Sequence, residues 1–85
     1  MKRTYLENAR VGAGLTKGRL AAEAGLTREN YKAIEEGDPS TSATVLIQIG
    51  EILGMDAQEV EDHEMYWMRE GKPNEERTQT LFYDV

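Results

Sequence analysis

Residues 16–37 read TKGRLAAEAGLTRENYKAIEEG, and this stretch decides the fold. Thr16 is a good N-cap for a short helix over residues 17–24, with Leu20, Ala21 and Ala24 on one face at helical spacing. Gly25 follows where a left-handed C-cap glycine belongs, and Leu26 has the character of a buried residue. Thr27 caps a second short helix over residues 28–36, with Tyr31 and Ile34 inward and Gly37 closing it. Two short capped helices joined by so tight a turn must cross steeply. Ala21 is small where that crossing needs a small side chain. Arg28, Glu29, Lys32 and Ala33 are left pointing outward, beginning directly at the cap.

Working outward, residues 5–11 (YLENARV) have helix-forming composition, and Gly12 and Gly14 stop them. Residues 38–42 (DPSTS) form a turn cluster in which Ser42 or Thr41 caps a fourth helix, inward through Val45, Leu46, Ile49, Ile52 and Leu53. Gly54 ends it. Asp56 with Glu59 three residues on resembles a capping box for a fifth helix, with Ala57 and Val60 inward. The pattern blurs around residues 65–68, residues 71–74 (GKPN) break it, and residues 78–85 alternate as a strand would. The expected fold is mainly α: a five-helix domain over residues 1–63, followed by a C-terminal β-strand arm over residues 64–85.

With 85 residues the chain is one domain, near the lower limit for a core that holds without disulfides or metal. The absence of Cys excludes a disulfide framework and a thiolate zinc site. No stretch approaches 18 apolar residues, and the start MKRTY lacks the apolar core of a signal peptide. A soluble cytoplasmic protein, with no membrane partner, is expected. The net charge of −6 is unlike that of most nucleic-acid binders, but it is unevenly spread. Residues 1–37 hold seven Lys/Arg against five Glu, whereas residues 38–85 hold three bases against eleven acids. One end is therefore mildly basic. Such asymmetry suits a protein presenting that end to a phosphate backbone, although acids that merely solvate the later helices would give the same numbers.

No catalytic constellation is present: there is no Ser/His/Asp or Cys/His set. Gly12, Gly14 and Gly18 miss dinucleotide-loop spacing and follow no strand. The acid-rich residues 56–64 lack the alternating ligands and central Gly of a calcium loop, and His63 reads as a surface residue rather than a metal ligand. No enzyme activity, metal, cofactor or small-molecule ligand is expected.

Residues 6–60 resemble the lambdoid repressor/Cro (xenobiotic-response-element type) family of helix-turn-helix domains. The resemblance rests on Gly14-Leu15-Thr16, Leu20-Ala21, Gly25-Leu26-Thr27, Ile34-Glu35 with Gly37, and Leu53-Gly54. It implies double-stranded DNA as partner, with the helix from Arg28 in the major groove. Carried over residue by residue, it places Lys17 on phosphate and Thr27, Arg28, Glu29 and Lys32 against DNA. Arg28 could take a guanine through O6 and N7, worth about 1–3 kcal/mol of discrimination. Glu29 accepts from a cytosine amino group or steadies Arg28, and Asn30 bonds phosphate or a base edge. Ser42 and the amides that open the fourth helix are a further phosphate site. Arg10 and Glu35 fall where several phage repressors have a buried ion pair. Two positions depart from the family: Glu36 stands where Asn is common, and residues 38–44 lack its frequent Lys/Arg.

Large apolar residues also gather late in the chain, at residues 65–68 and at Leu81, Phe82 and Tyr83. They either pack on their own domain or, with Trp67, form a homodimer contact that would set half-sites one helical turn apart. The expected function is a sequence-specific transcriptional regulator, a repressor of phage or mobile-element type. The rival is an antirepressor or antitoxin-like helix-turn-helix that binds a protein and does not itself read DNA.

Overall fold

The structure, a computed structural model, describes residues 1–70, with side chains described through Trp67. Five helices follow one another: α1 Thr4–Gly12, α2 Lys17–Glu23, α3 Arg28–Glu35, α4 Ala43–Ile52 and α5 Ala57–Glu70. The first four lie within a residue or two of the positions that caps and glycines mark. The caps close as hydroxyl chemistry requires: Thr16 Oγ1 accepts from the Arg19 amide at 3.1 Å, Thr27 Oγ1 from Asn30 at 3.0 Å, and Ser42 Oγ from Val45 at 3.3 Å. Asp56 and Glu59 form a reciprocal capping box, each carboxylate accepting from the other's amide at 2.8 and 2.9 Å.

The turn between α2 and α3 is a Schellman closure. The Leu26 amide donates to Ala21 O at 2.8 Å and the Gly25 amide to Ala22 O at 3.2 Å, with Gly25 at φ +74°. A side chain at that φ would be strained. Gly37 is more constrained still. It has φ +112°, and a Cβ there would strike the Met1 carbonyl.

The core gathers one face of every helix: Leu6 from α1, Leu20 and Ala21 from α2, Tyr31 and Ile34 from α3, Leu46 and Ile49 from α4, Val60 from α5. Leu26, Val45, Ile52 and Leu53 pack around it half-buried, while Ala57, expected inward, is exposed. Ala57 is the first residue of α5, so the inward stripe starts at Val60. That helix runs unbroken to Glu70, and the 63/64 boundary drawn from sequence falls inside it. The strand expected over residues 78–85 lies outside the described residues.

Gly50 explains how α4 and α5 come so close. It is buried mid-helix, and its missing Cβ is where Val60 Cγ2 sits. Helix propensity alone says that Gly→Ala gains about 1 kcal/mol. Here overpacking outweighs it, so Gly50→Ala is expected to lower stability by about 1–2 kcal/mol net. Urea denaturation checks this, with Val60→Ala as partner variant: the double variant should lose less than the two single losses added together.

Candidate nucleic-acid interface

The α2–α3 unit is held from both sides. From α4, Gln48 Nε2 donates to Ala24 O at 3.3 Å, satisfying a carbonyl that α2 leaves open at its end. From α1, Arg10 makes a fork on Glu35 of α3, with Nε to Oε1 at 3.0 Å and Nη2 to Oε2 at 3.2 Å, while Nη1 reaches Leu15 O at 2.9 Å. Glu35 is 0% exposed. Burial by itself opposes ionisation of this carboxyl; the hydrogen bonds and charge of Arg10, helped by Lys17, outweigh it and leave Glu35 below its ordinary range. The Tyr31 hydroxyl lies buried beside the pair without a hydrogen bond of ordinary geometry. Burial first, and the Glu35 carboxylate second, push it above the usual phenol range.

On this platform Thr27, Arg28, Glu29, Asn30, Lys32 and Ala33 are all exposed, and Lys17 is half-buried. The Arg28 stem lies over Gly18, close enough that a Cβ there would make ordinary van der Waals contact with Arg28 Cδ at 3.7 Å. Arg28 is thereby brought against the first turn of α2, next to Lys17. The Thr27 oxygen accepts from Asn30, which leaves its O–H free to donate. Glu29 in the first turn of α3 and Lys32 in its last turn each complement the helix dipole. That structural role alone would explain both.

The distribution of ion pairs separates the bases. Among the described residues, Lys2 pairs with Glu7, Arg3 with Glu64, Arg10 with Glu35 and Arg19 with Glu23. Lys17, Arg28 and Lys32 enter none of these pairs, and all three stand on α2 and α3. Ser42 sits exposed at the start of α4. The preceding loop carries fixed negative charge: Asp38 Oδ1 accepts from Ser40 Oγ at 2.7 Å and from its amide at 2.9 Å, and these bonds hold the Asp38 carboxyl below its ordinary range. Glu36 is exposed beside it.

Trp67, expected at a contact between copies, has partners within its own chain. Its Nε1 donates to Met1 O and Lys2 O at 2.9 and 3.0 Å, and the Arg3 guanidinium lies 4.5 Å over its ring. Leu81, Phe82 and Tyr83 lie outside the described residues. Sequence reasoning missed Arg3 altogether. It is 2% exposed, with Nη1 on Ile34 O (2.7 Å) and Asp38 O (3.0 Å) and a fork on Glu64 of α5. Tyr5 adds a hydrogen bond to the same Glu64 and stacks on His63 at 4.7 Å. No signal in MKRTY distinguishes such an arginine from a solvated one.

Two short helices packed across a glycine-closed turn, the second presenting Arg28 and Lys32 outward beside Glu29, define a helix-turn-helix protein. A family model described as a helix-turn-helix domain matches residues 3–62, and the chain belongs to that family. No curated protein and no solved structure matches it. Membership makes it, at this coarse level, a DNA-binding regulator. Among the described residues no helix is long and apolar enough to cross a membrane, and no three His, Cys, Asp or Glu side chains cluster to hold a metal ion.

Proposed function

We propose that the protein is a sequence-specific transcriptional repressor of phage or mobile-element type, laying α3 in the major groove as a homodimer. One observation carries this reading: among the described residues, the three bases left out of internal ion pairs are Lys17, Arg28 and Lys32, all on α2–α3. Arg28 reads base edges, Lys17 and Lys32 neutralise phosphates, and Thr27, Glu29, Asn30 and Ser42 supply shorter contacts. Few cations and two nearby carboxylates, Glu36 and Asp38, make a single copy a weak binder. A two-fold pair on adjacent half-sites is therefore part of the proposal, its contact on the α5 side, where Met65 and Tyr66 are 59% and 56% exposed.

Selection from random duplexes, followed by titration against the enriched site, tests it. Arg28→Ala is expected to weaken binding roughly 10- to 100-fold and relax one base position, as loss of a bidentate guanine contact does. Lys32→Ala is expected to weaken all sequences alike and flatten the salt dependence by about one unit of slope. The strongly acidic later half favours the second reading, a module that docks on a basic protein. No retention of any duplex at low salt would decide for that alternative.

A further inference from the structure

Residues 1–3 lie as a strut between the end of α3 and α5. On the α3 side the Arg3 amide donates to Glu35 O at 2.8 Å, and Arg3 Nη1 donates to Ile34 O and Asp38 O at 2.7 and 3.0 Å. The Met1 carbonyl fills the space that a Cβ on Gly37 would take. On the α5 side the other edge of the same guanidinium grips Glu64, with Nε on Oε2 at 2.8 Å and Nη2 on Oε1 at 3.3 Å. Trp67 Nε1 reaches back to Met1 O and Lys2 O. Among the described residues, every hydrogen bond that leaves α5, apart from its own cap, ends on residues 1–5, and none joins α3 to α5 directly. Each helix also has a support of its own: α3 through Glu35 on Arg10, α5 through Val60 on Gly50.

We infer that Arg3 is a positioning residue for DNA recognition: it fixes α3 against the α5 face where two copies meet, and so sets the half-site spacing that the pair accepts. The inference rests on the reading of the protein as a DNA-binding homodimer and deepens it. In that reading the exposed Met65 and Tyr66 lie at the two-fold contact and α3 lies in the major groove. Half-sites one turn apart stand about 34–36 Å from centre to centre, which puts each α3 roughly 17 Å from the two-fold axis. A swing of about 10° on that arm moves α3 by about 3 Å, close to the rise of one base pair. A planar guanidinium bonded to a carboxylate on one edge and to two carbonyls on the other resists such a swing, because its hydrogen bonds weaken steeply with angle. A second half-site adds affinity only while both copies engage at once, so the stiffness of this joint decides which spacings are rejected. Loss of Arg3 leaves α3 and α5 their other supports and releases the joint between them.

The test takes the full chain and the site enriched from random duplexes. It measures affinity for a single half-site, for both half-sites at the enriched spacing, and for both with two base pairs inserted, which turns one half-site by roughly 70° about the duplex. The parent is expected to lose of order 100-fold on insertion, the avidity that a second site confers. Arg3→Ala is expected to bind the enriched spacing about 3- to 10-fold more weakly than the parent and to lose less than about tenfold on insertion. Its single half-site affinity should stay near the parent's, since Arg3 touches no DNA. Glu64→Gln frees the strut from α5 while leaving the Arg3 bonds to α3 and an uncharged acceptor in place, so it gives the same readout in a chain that keeps its fold. Ile49→Val, a core truncation away from the strut, lowers stability by itself and should keep the parent's discrimination. Discrimination by both Arg3→Ala and Glu64→Gln equal to the parent's would overturn the inference and leave the DNA-binding reading standing. The same flattening in Ile49→Val would overturn it too, because loss of stability would then be the cause. A parent that retains no duplex, or gains nothing from a second half-site, would remove that reading and the inference with it.

Discussion

Replacing Arg10 with alanine is expected to remove about 3–5 kcal/mol of stability, the usual result of leaving one member of a buried ion pair without its partner. Glu35 is wholly enclosed, so the orphaned carboxylate has no route to water, and the Leu15 carbonyl loses its donor as well. For a domain of this size each kcal/mol moves the melting temperature by about 4–8 °C, so the variant should be largely unfolded when the parent is intact. The double variant Arg10→Met/Glu35→Met separates a stranded charge from simple loss of attraction. It should regain most of the stability, because two apolar side chains of similar volume carry no desolvation cost. Acid gives the second signature. The Glu35 carboxyl is depressed in the folded chain, so its contribution is complete above the ordinary carboxylate value near 4.5 and is lost as pH falls through the lower folded value. Thermal melts from pH 7 to pH 3 should show the parent losing its lead over the double variant on the acid side. An Arg10→Ala chain as stable as the parent would refute the buried-pair account.

What the sequence discloses and what it hides follow from the range of the forces involved. Thr16, Thr27, Ser42 and the Asp56–Glu59 box act within three residues, so their hydrogen bonds can be read from spacing alone. The same holds for the outward face of α3, which follows from the inward face by helical periodicity. Gly50 looks like an ordinary weak point in α4 until Val60, ten residues on, is seen to occupy its Cβ position. Arg3 depends on groups up to 64 residues away, and nothing local prepares for it. Charge counting misleads for the same reason. The mildly basic balance of residues 1–37 includes Arg3 and Arg10, both buried, and Arg3 is bound to an acid from the other half. What faces outward is set by which bases remain unpaired, and that takes the three-dimensional arrangement to see.

Arg3→Ala should also lower stability, though less than the Arg10 variant, since Glu64 is less enclosed than Glu35. One guanidinium serves four acceptors: the Glu64 carboxylate through two nitrogens, Ile34 O and Asp38 O through a third, with the Trp67 ring stacked on its face. Its removal takes one donor from each of two carbonyls, which keep the Gly37 amide and the Thr41 hydroxyl, and it leaves Glu64 without its cation, facing the Tyr5 hydroxyl, whose acidity burial and that carboxylate already suppress. A loss of about 1–3 kcal/mol follows from the part-buried carboxylate left without its charged donors. Arg3→Lys should recover little of it, because an ammonium presents three donors from a single atom and cannot span carboxylate and carbonyls together. Trp67 emission should shift in both variants, since its ring loses the stacked cation. Salt dependence of DNA binding distinguishes this structural arginine from a phosphate contact. Measured at a temperature where the variant stays folded, the slope of log affinity against log salt should match the parent's, because a guanidinium 2% exposed and bound to Glu64 releases no counterion from DNA. If Arg3→Ala reduced that slope by about one unit while leaving the melting temperature unchanged, Arg3 would belong to the DNA-binding surface and not to the clasp between α3 and α5.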